Sequence, residues 1–367
     1  MSETQETVLE IDLKALQHNF EYLKSKLHKN TKTLAVVKAF GYGTDACIVA
    51  KHLEKLKVDY FAVAYAKEGV ALRGAGIKTP ILVLHPQIID FKDIIKYCLE
   101  PNLYSKRTLE AFIKVAESEN QKYYPTHIKF NTGLNRLGFN SNEIDSIIEK
   151  TNKTKSIKIA SIFSHLVASE DLKEKDFSEQ QIRTFKDIIN KVKLKIDYSP
   201  LFHMTNTSGV LNFPNAHFDM VRIGIGLYGF ANDEKLTKNL KNVASLKSII
   251  SQIHTIEKGQ SVGYNRAFKA NKNIKTATIP IGHADGIHRA FGNGKASVKI
   301  NGAKAPIVGN VCMDMLMVNI SEIDCEEGDE VIIFNDQKTI NEWADIIKSI
   351  PYEILTTISQ RVKRIVK

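Results

Sequence analysis

Cysteine is scarce in this chain of 367 residues, and none of the four (Cys47, Cys98, Cys312 and Cys325) forms a C-x-x-C pair. That excludes a zinc-ribbon spacing and a disulfide framework, and leaves the four as reduced thiols packed among apolar groups. No window holds the roughly 18 uncharged apolar residues of a spanning helix, so a membrane protein of that kind is not expected. Residues Met1 to Thr7 lack the basic-then-apolar pattern of a signal peptide, which makes a cytoplasmic chain the expectation. There is no repeat, no low-complexity tract and no Pro/Gly/Ser linker. Dense basic runs are also missing, although 51 Lys and Arg against 41 Asp and Glu leave a formal charge of +10. The lysines are scattered over stretches such as 186–195 and 235–247, as on a solvated surface, and no nucleic-acid partner is expected.

What is present suits a large folded protein. Hydrophobic residues make up 43% and charged residues 25%, which excludes wholesale disorder and supplies a core for two domains. After a loose tail, residues 8–13 read as a strand leading into a helix over 12–27, capped by Asp12. Short apolar runs then recur near 34–38, 60–64, 80–84, 102–104, 126–131, 159–164, 201–206 and 219–223. Helical stretches lie between most of them, at 45–56, 66–75, 105–118, 141–150 and 178–193. Continuous apolar strands alternating with amphipathic helices mean a parallel sheet covered by helices. Eight such units predict an α/β fold closed as a (β/α)8 TIM-type barrel over residues 1–235, with the leading helix completing the outer ring.

The pattern changes after about residue 235. Strand-like segments at 243–256, 275–281, 296–300, 305–309, 314–320 and 329–334 are separated by turns, and only 339–349 reads as a clear helix. A C-terminal, mostly-β domain over 236–367 is expected, with residues 1–12 available to pair with it.

Catalysis in a barrel sits at the C-terminal ends of the strands. There this sequence places Lys38 in Ala35-Val-Val-Lys-Ala39, then Lys129, His165, His203 with Asn206, and Arg222. A lysine closing an apolar strand is desolvated, which frees its amine as a nucleophile; taken alone it reads more readily as a lysine snorkelling from a strand end. Gly41-Tyr-Gly43 suits a turn or close approach to a ligand. Arg222 alone reads as a structural ion pair, and His165 alone equally as a satisfied rim histidine or a functional one.

Their order is more specific than any one of them. Ala35-Val-Val-Lys-Ala39, Lys129-Phe-Asn-Thr-Gly-Leu-Asn-Arg-Leu-Gly138, Arg222 before Gly224-Ile-Gly-Leu-Tyr-Gly229, Val262-Gly-Tyr264, Gly282-His-Ala-Asp-Gly286 and Val311-Cys-Met-Asp-Met315 closely resemble alanine racemase, across residues 8–367. The resemblance implies a pyridoxal 5'-phosphate enzyme that interconverts L- and D-alanine, supplies D-alanine for peptidoglycan, and works as a homodimer with shared active sites. It implies that Lys38 holds the cofactor as a Schiff base and is one of two bases, and that Tyr264 is the other. Tyr42, Thr207 and Tyr352 would hold the phosphate, with Asn206 and groups around Ser208, Gly224 and Ile225. Arg222 would face the pyridine nitrogen and His165 would pack on the ring. Arg136 and Met313 would bind the substrate carboxylate, Lys129 would carry a carbamate, and His203, Asp314 and His283 would support the site. Tyr264 would be drawn toward phenolate by cationic His165 and Arg222.

The chain departs from that pattern at Phe40-Gly41, Thr44-Asp45, Glu170, His283 and Asn310, which bears on substrate entrance and size rather than on reaction class. A racemase for serine or a larger amino acid, a decarboxylase of the same architecture, a non-catalytic pyridoxal-phosphate-binding protein and a basic nucleic-acid binder remain as alternatives. The carrier reading is the weaker for the presence of a β domain carrying Tyr264 and Met313.

Overall fold

Short, largely apolar runs, buried on both faces, fold into one closed barrel. The computed structural model describes residues 5–231 and 234–367; within the tail, residues 1–4 lie outside the described residues. The barrel strands are Lys32–Val36, Tyr60–Val63, Ile81–Val83, Glu100–Leu103, Tyr124–Lys129, Ile157–Phe163, Leu201–His203 and Met220–Ile223, all parallel and closed between the last and the first. Helices that include Ala46–Lys55, Ala66–Gly74, Lys106–Ser118, Ile144–Lys153 and Lys175–Lys193 cover the outside. The leading helix, Leu13–Lys24, is capped by Asp12 accepting from Ala15 N at 2.8 Å. It packs on the turn after the eighth strand, where buried Asn19 donates to Leu227 O and Lys241 O.

The second sheet has nine strands, in the order Gln252–Ile256, Ile274–Ile279, Leu316–Asn319, Ala303–Val308, Ser297–Ile300, Glu330–Phe334, Ala244–Ile249, Val8–Ile11 and Lys363–Val366. The pairings are antiparallel except that between Val8–Ile11 and Lys363–Val366. The N-terminal strand therefore crosses into the sheet of the C-terminal half.

Several sequence expectations need correction. The run 243–256 is two strands, because the chain turns at Ile250 and Ser251. A second C-terminal helix, Pro351–Thr356, and the closing strand Lys363–Val366 were not expected; both are short, and the strand forms through a long-range parallel pairing. The first barrel strand ends at Val36, so Lys38 lies beyond it.

Candidate active site

The segment after that first strand is folded by left-handed backbone. Ala39, Phe40, Gly41, Tyr42 and Gly43 have φ of 53°, 54°, 62°, 52° and 86°. For L-residues each such conformation costs about 1–2 kcal/mol, and it persists only where the surroundings impose it. Glu68 is one restraint, accepting from Ala39 N at 2.6 Å while also holding Ala64 N and Tyr65 N. Gly41 is the hinge, since a Cβ there would stand 2.8 Å from Ala46 N. From the C-terminal half, Arg364 donates to Gly43 O at 2.9 and 3.0 Å and lays its guanidinium over the Phe40 ring. The strain aims Lys38 at the barrel mouth and turns Tyr42 into the core, stacked on Tyr228.

A cavity of about 470 Å³ opens at the C-terminal rim, and Lys38, Lys129, Arg136, His165, Asn206 and Arg222 all line it. Tyr42, Thr207, Ser208, Gly224, Ile225 and Tyr352 line it as well. Burial and the nearby Arg136 lower the Lys38 pKa, against a smaller upward pull from Glu68. Lys129 is lowered to about 8 by burial, Arg136 and Arg222. Its ammonium lies over the Phe163 ring, 5.9 Å from the centroid.

Arg222 is 4% exposed. Among the described residues no carboxylate forms an ion pair with it, so the structural ion-pair reading does not apply. Instead its Nη1 bonds His203 Nδ1 at 2.6 Å, and its Nη2 donates to Ser164 O, Met204 O and His165 Nδ1 at 2.7, 2.9 and 2.8 Å. Burial and then Arg222 hold His165 well below the usual imidazole range. His165 is thus neutral at physiological pH, and the expectation that it acts as a cation toward Tyr264 is corrected.

At the other end of the cavity Thr207 Oγ1 accepts from Gly224 N and Gly226 N at 3.1 and 3.3 Å, leaving its hydroxyl proton to offer. Asn206 Oδ1 accepts from Gly209 N and Ser169 Oγ, which fixes the turn that presents Thr207 and Ser208. A Cβ on Gly224 would stand 2.7 Å from Tyr42 Oη. The lack of a side chain there is what lets backbone and phenol approach one point. Tyr352 closes this end, its ring 5.9 Å from that of Tyr42.

Tyr264 is not in this cavity. With Met313 and Asp314 it lines another one, of about 510 Å³, and Tyr264 and Met313 are 70% and 59% exposed. The turn carrying Tyr264 has left-handed φ at Gly263, Asn265 and Arg266 and is tied down by Asn310 Nδ2 donating to Tyr264 O at 3.2 Å. Asp314 pairs with Arg361, which also pairs with Asp285. His283 is exposed beside this loop, and its N–H donates to Cys312 O.

Sequence reasoning missed Glu68, Phe163 and Asn102. Asn102 is 1% exposed and lines the Lys38 cavity, its Oδ1 without a partner. The available signal was a polar residue inside an apolar strand.

A closed (β/α)8 barrel that collects amines and guanidinium groups around one rim cavity, joined to a β domain, defines a barrel enzyme for a small anionic compound. The family description "Alanine racemase, N-terminal domain" matches residues 11–232, and "Alanine racemase, C-terminal domain" matches residues 243–366. An alanine racemase of Halothermothrix orenii is 36% identical over 370 residues, covering 98% of this chain and 97% of that protein. The structure of alanine racemase from Clostridium difficile 630 matches with a TM-score of 0.94 at 34% identity, covering 100% of this chain and 97% of that one. A structure from Bartonella henselae, described as alanine racemase with covalently bound pyridoxal phosphate, matches at a TM-score of 0.88 and 29% identity, covering 99% of each chain. The chain belongs to the alanine racemase family and is an isomerase.

Proposed function

We propose that this protein interconverts L- and D-alanine with pyridoxal 5'-phosphate held covalently on Lys38, and that Lys38 and Tyr264 are the two bases. The carrying observation is that Lys38, on the left-handed turn after the first strand, shares a rim cavity with Lys129, with a buried guanidinium and with a cradle left open by Gly224. These groups fit the cofactor. The Lys38 amine offers a nucleophile for its aldehyde, Arg222 offers only donors to its ring nitrogen, and Tyr42, Ser208 and Tyr352 converge where a phosphate needs partners. When bound, pyridoxal phosphate supplies an electron sink for the carbanion left by removal of the α-proton.

The chain's own residues do the rest. Arg222 stays protonated and can only donate, so it passes no proton to the nitrogen it faces, which keeps the sink weak. Arg136 and the Met313 N–H hold the substrate carboxylate, and Asn206, Thr207 and Ile225 shape the cofactor end. Lys38 Nζ takes or returns the α-proton on one face, and Tyr264 Oη does so on the other. Because Tyr264 is exposed in a different cavity, the site is completed by a second copy of the chain in a two-fold homodimer. Lys129 becomes a carbamate that orients Arg136. His203, Asp314 and His283 support their neighbours. A cytoplasmic location and D-alanine supply to peptidoglycan are part of the same proposal, supported by the family resemblance alone.

Borohydride reduction of the holoenzyme followed by tryptic mapping tests this. Cofactor fixed on the peptide containing Lys38 is expected, and label on any other lysine would sink the assignment.

A further inference from the structure

Branched apolar side chains ordinarily fill a parallel barrel in layers. Here a line of polar side chains crosses the interior. Glu100 opens its strand at the N-terminal end of the barrel, and its Oε2 lies 2.7 Å from His127 Nε2. His127 Nδ1 is 2.5 Å from Ser161 Oγ, which is 2.9 Å from His203 Nε2. The line ends where His203 Nδ1 meets Arg222 Nη1 at 2.6 Å. All five residues are buried. At the far end Tyr60, the first residue of its own strand, donates its hydroxyl to Glu100 and sets its ring edge-on to His127.

Donor chemistry gives this line a direction. A guanidinium has no acceptor, so His203 Nδ1 must accept, and the His203 proton sits on Nε2. That N–H donates to Ser161 Oγ, whose own hydrogen is then left for His127 Nδ1. His127 keeps its proton on Nε2 and donates it to the Glu100 carboxyl. Each imidazole uses one donor and one acceptor, as a neutral ring does. Burial, with Arg222 and His127 close by, also holds His203 well below the usual imidazole range. The line runs one way, from a buried cation at the active rim to a carboxyl at the opposite end.

We propose that Glu100, His127 and Ser161 are positioning residues for racemisation: their one-way chain fixes His203 as an Nδ1 acceptor and so holds Arg222 oriented and protonated toward the cofactor ring. Arg222's place at the ring rests on the function proposed above; the two histidine tautomers do not depend on it. Without Ser161 the His203 Nε2–H has no partner in the core. That unpaired donor raises the cost of the Nε2–H tautomer and loosens the ring whose Nδ1 holds Arg222.

Nitrogen-15 NMR of histidine-labelled holoenzyme tests the chain, with His127→Gln and His203→Gln used for assignment. Both rings are expected to carry one proton, on Nε2, with Nδ1 accepting. A doubly protonated ring or an Nδ1–H tautomer at either position would overturn the proposal. Ser161→Ala removes one hydroxyl with little change of volume. It is expected to shift the His203 resonances and to lower racemisation events per transamination event about fivefold, the size of one neutral hydrogen bond. Ser161→Thr, which keeps the hydroxyl, should restore the ratio. A folded Ser161→Ala enzyme with an unchanged ratio refutes the positioning role. Labelling of Lys38 by borohydride is scored separately, so failure of the relay and failure of the function are told apart.

Discussion

Lys38 and Tyr264 of one chain line different cavities, and Tyr264 stands 70% exposed. Two bases that act on one α-carbon must both come within hydrogen-bond reach of it. Under the proposed two-base function, a second copy of the chain would meet that requirement.

Lys38→Ala and Tyr264→Ala should therefore each be nearly inactive alone yet complement each other. In a heterodimer of the two, one site carries both lesions and the other neither. Random reassortment makes half the dimers heterodimers, so about a quarter of wild-type activity should return after joint unfolding and refolding. No recovery, with heterodimers demonstrated by mass, would mean that both bases come from one chain.

Gly224→Ala should weaken cofactor binding while leaving the barrel folded. The added methyl would stand 2.7 Å from Tyr42 Oη, and Tyr42 is fixed by its stack on Tyr228. Displacing the phenol from the cradle removes one partner of a charged group, a loss of about 1.5–3 kcal/mol, or on the order of tenfold to a hundredfold in the pyridoxal phosphate dissociation constant. Unchanged affinity by cofactor fluorescence would put the phosphate elsewhere.

Much of this was legible in the sequence, for stated physical reasons. The eight barrel strands announce themselves because a strand buried on both faces must be apolar throughout, and Lys38, Lys129, His165 and Arg222 stand out as charges ending such runs. The left-handed turn at Ala39–Gly43 was not legible, because Ala39 and Phe40 have no intrinsic preference for it; Glu68 and Arg364 impose it from distant positions. Strand Lys363–Val366 is equally silent, since it exists through pairing with Val8–Ile11 at the other end of the chain. The lowered pKa of His165 comes first from burial and then from Arg222, 2.8 Å away, and no local pattern encodes either.

Arg222→Glu should lose both stability and reaction fidelity. The carbonyls of Ser164 and Met204 and His203 Nδ1 all accept from Arg222, so a carboxylate there faces acceptors. A loss of roughly 3–5 kcal/mol is expected in urea unfolding, as for a buried charge stripped of its partners. In enzyme that remains folded, the ring nitrogen gains an acceptor, and keto-acid product per racemisation should rise on the order of tenfold. An unchanged product ratio would mean that Arg222 does not face the cofactor.

Lys129 should make stability rise with pH. Burial and the cations Arg136 and Arg222 lower its pKa to about 8 from 10.5. Between those values the unfolded chain binds a proton that the folded chain has released. Stability therefore increases as pH rises through that window, and the penalty of the buried ammonium is felt in full below about pH 8. Relative to Lys129→Met, wild type should gain about 2 kcal/mol in urea unfolding between roughly pH 7.5 and pH 9.5, in buffer freed of carbon dioxide. A flat difference would mean that Lys129 keeps its proton in the folded state across that window. The same neutral amine is the species that adds carbon dioxide, so labelled bicarbonate should bring up a carbamate carbon signal in wild type and none in Lys129→Met. With bicarbonate present the folded group, as a carbamate, binds no proton while the unfolded amine still does, so the pH-dependent difference should steepen as that signal grows.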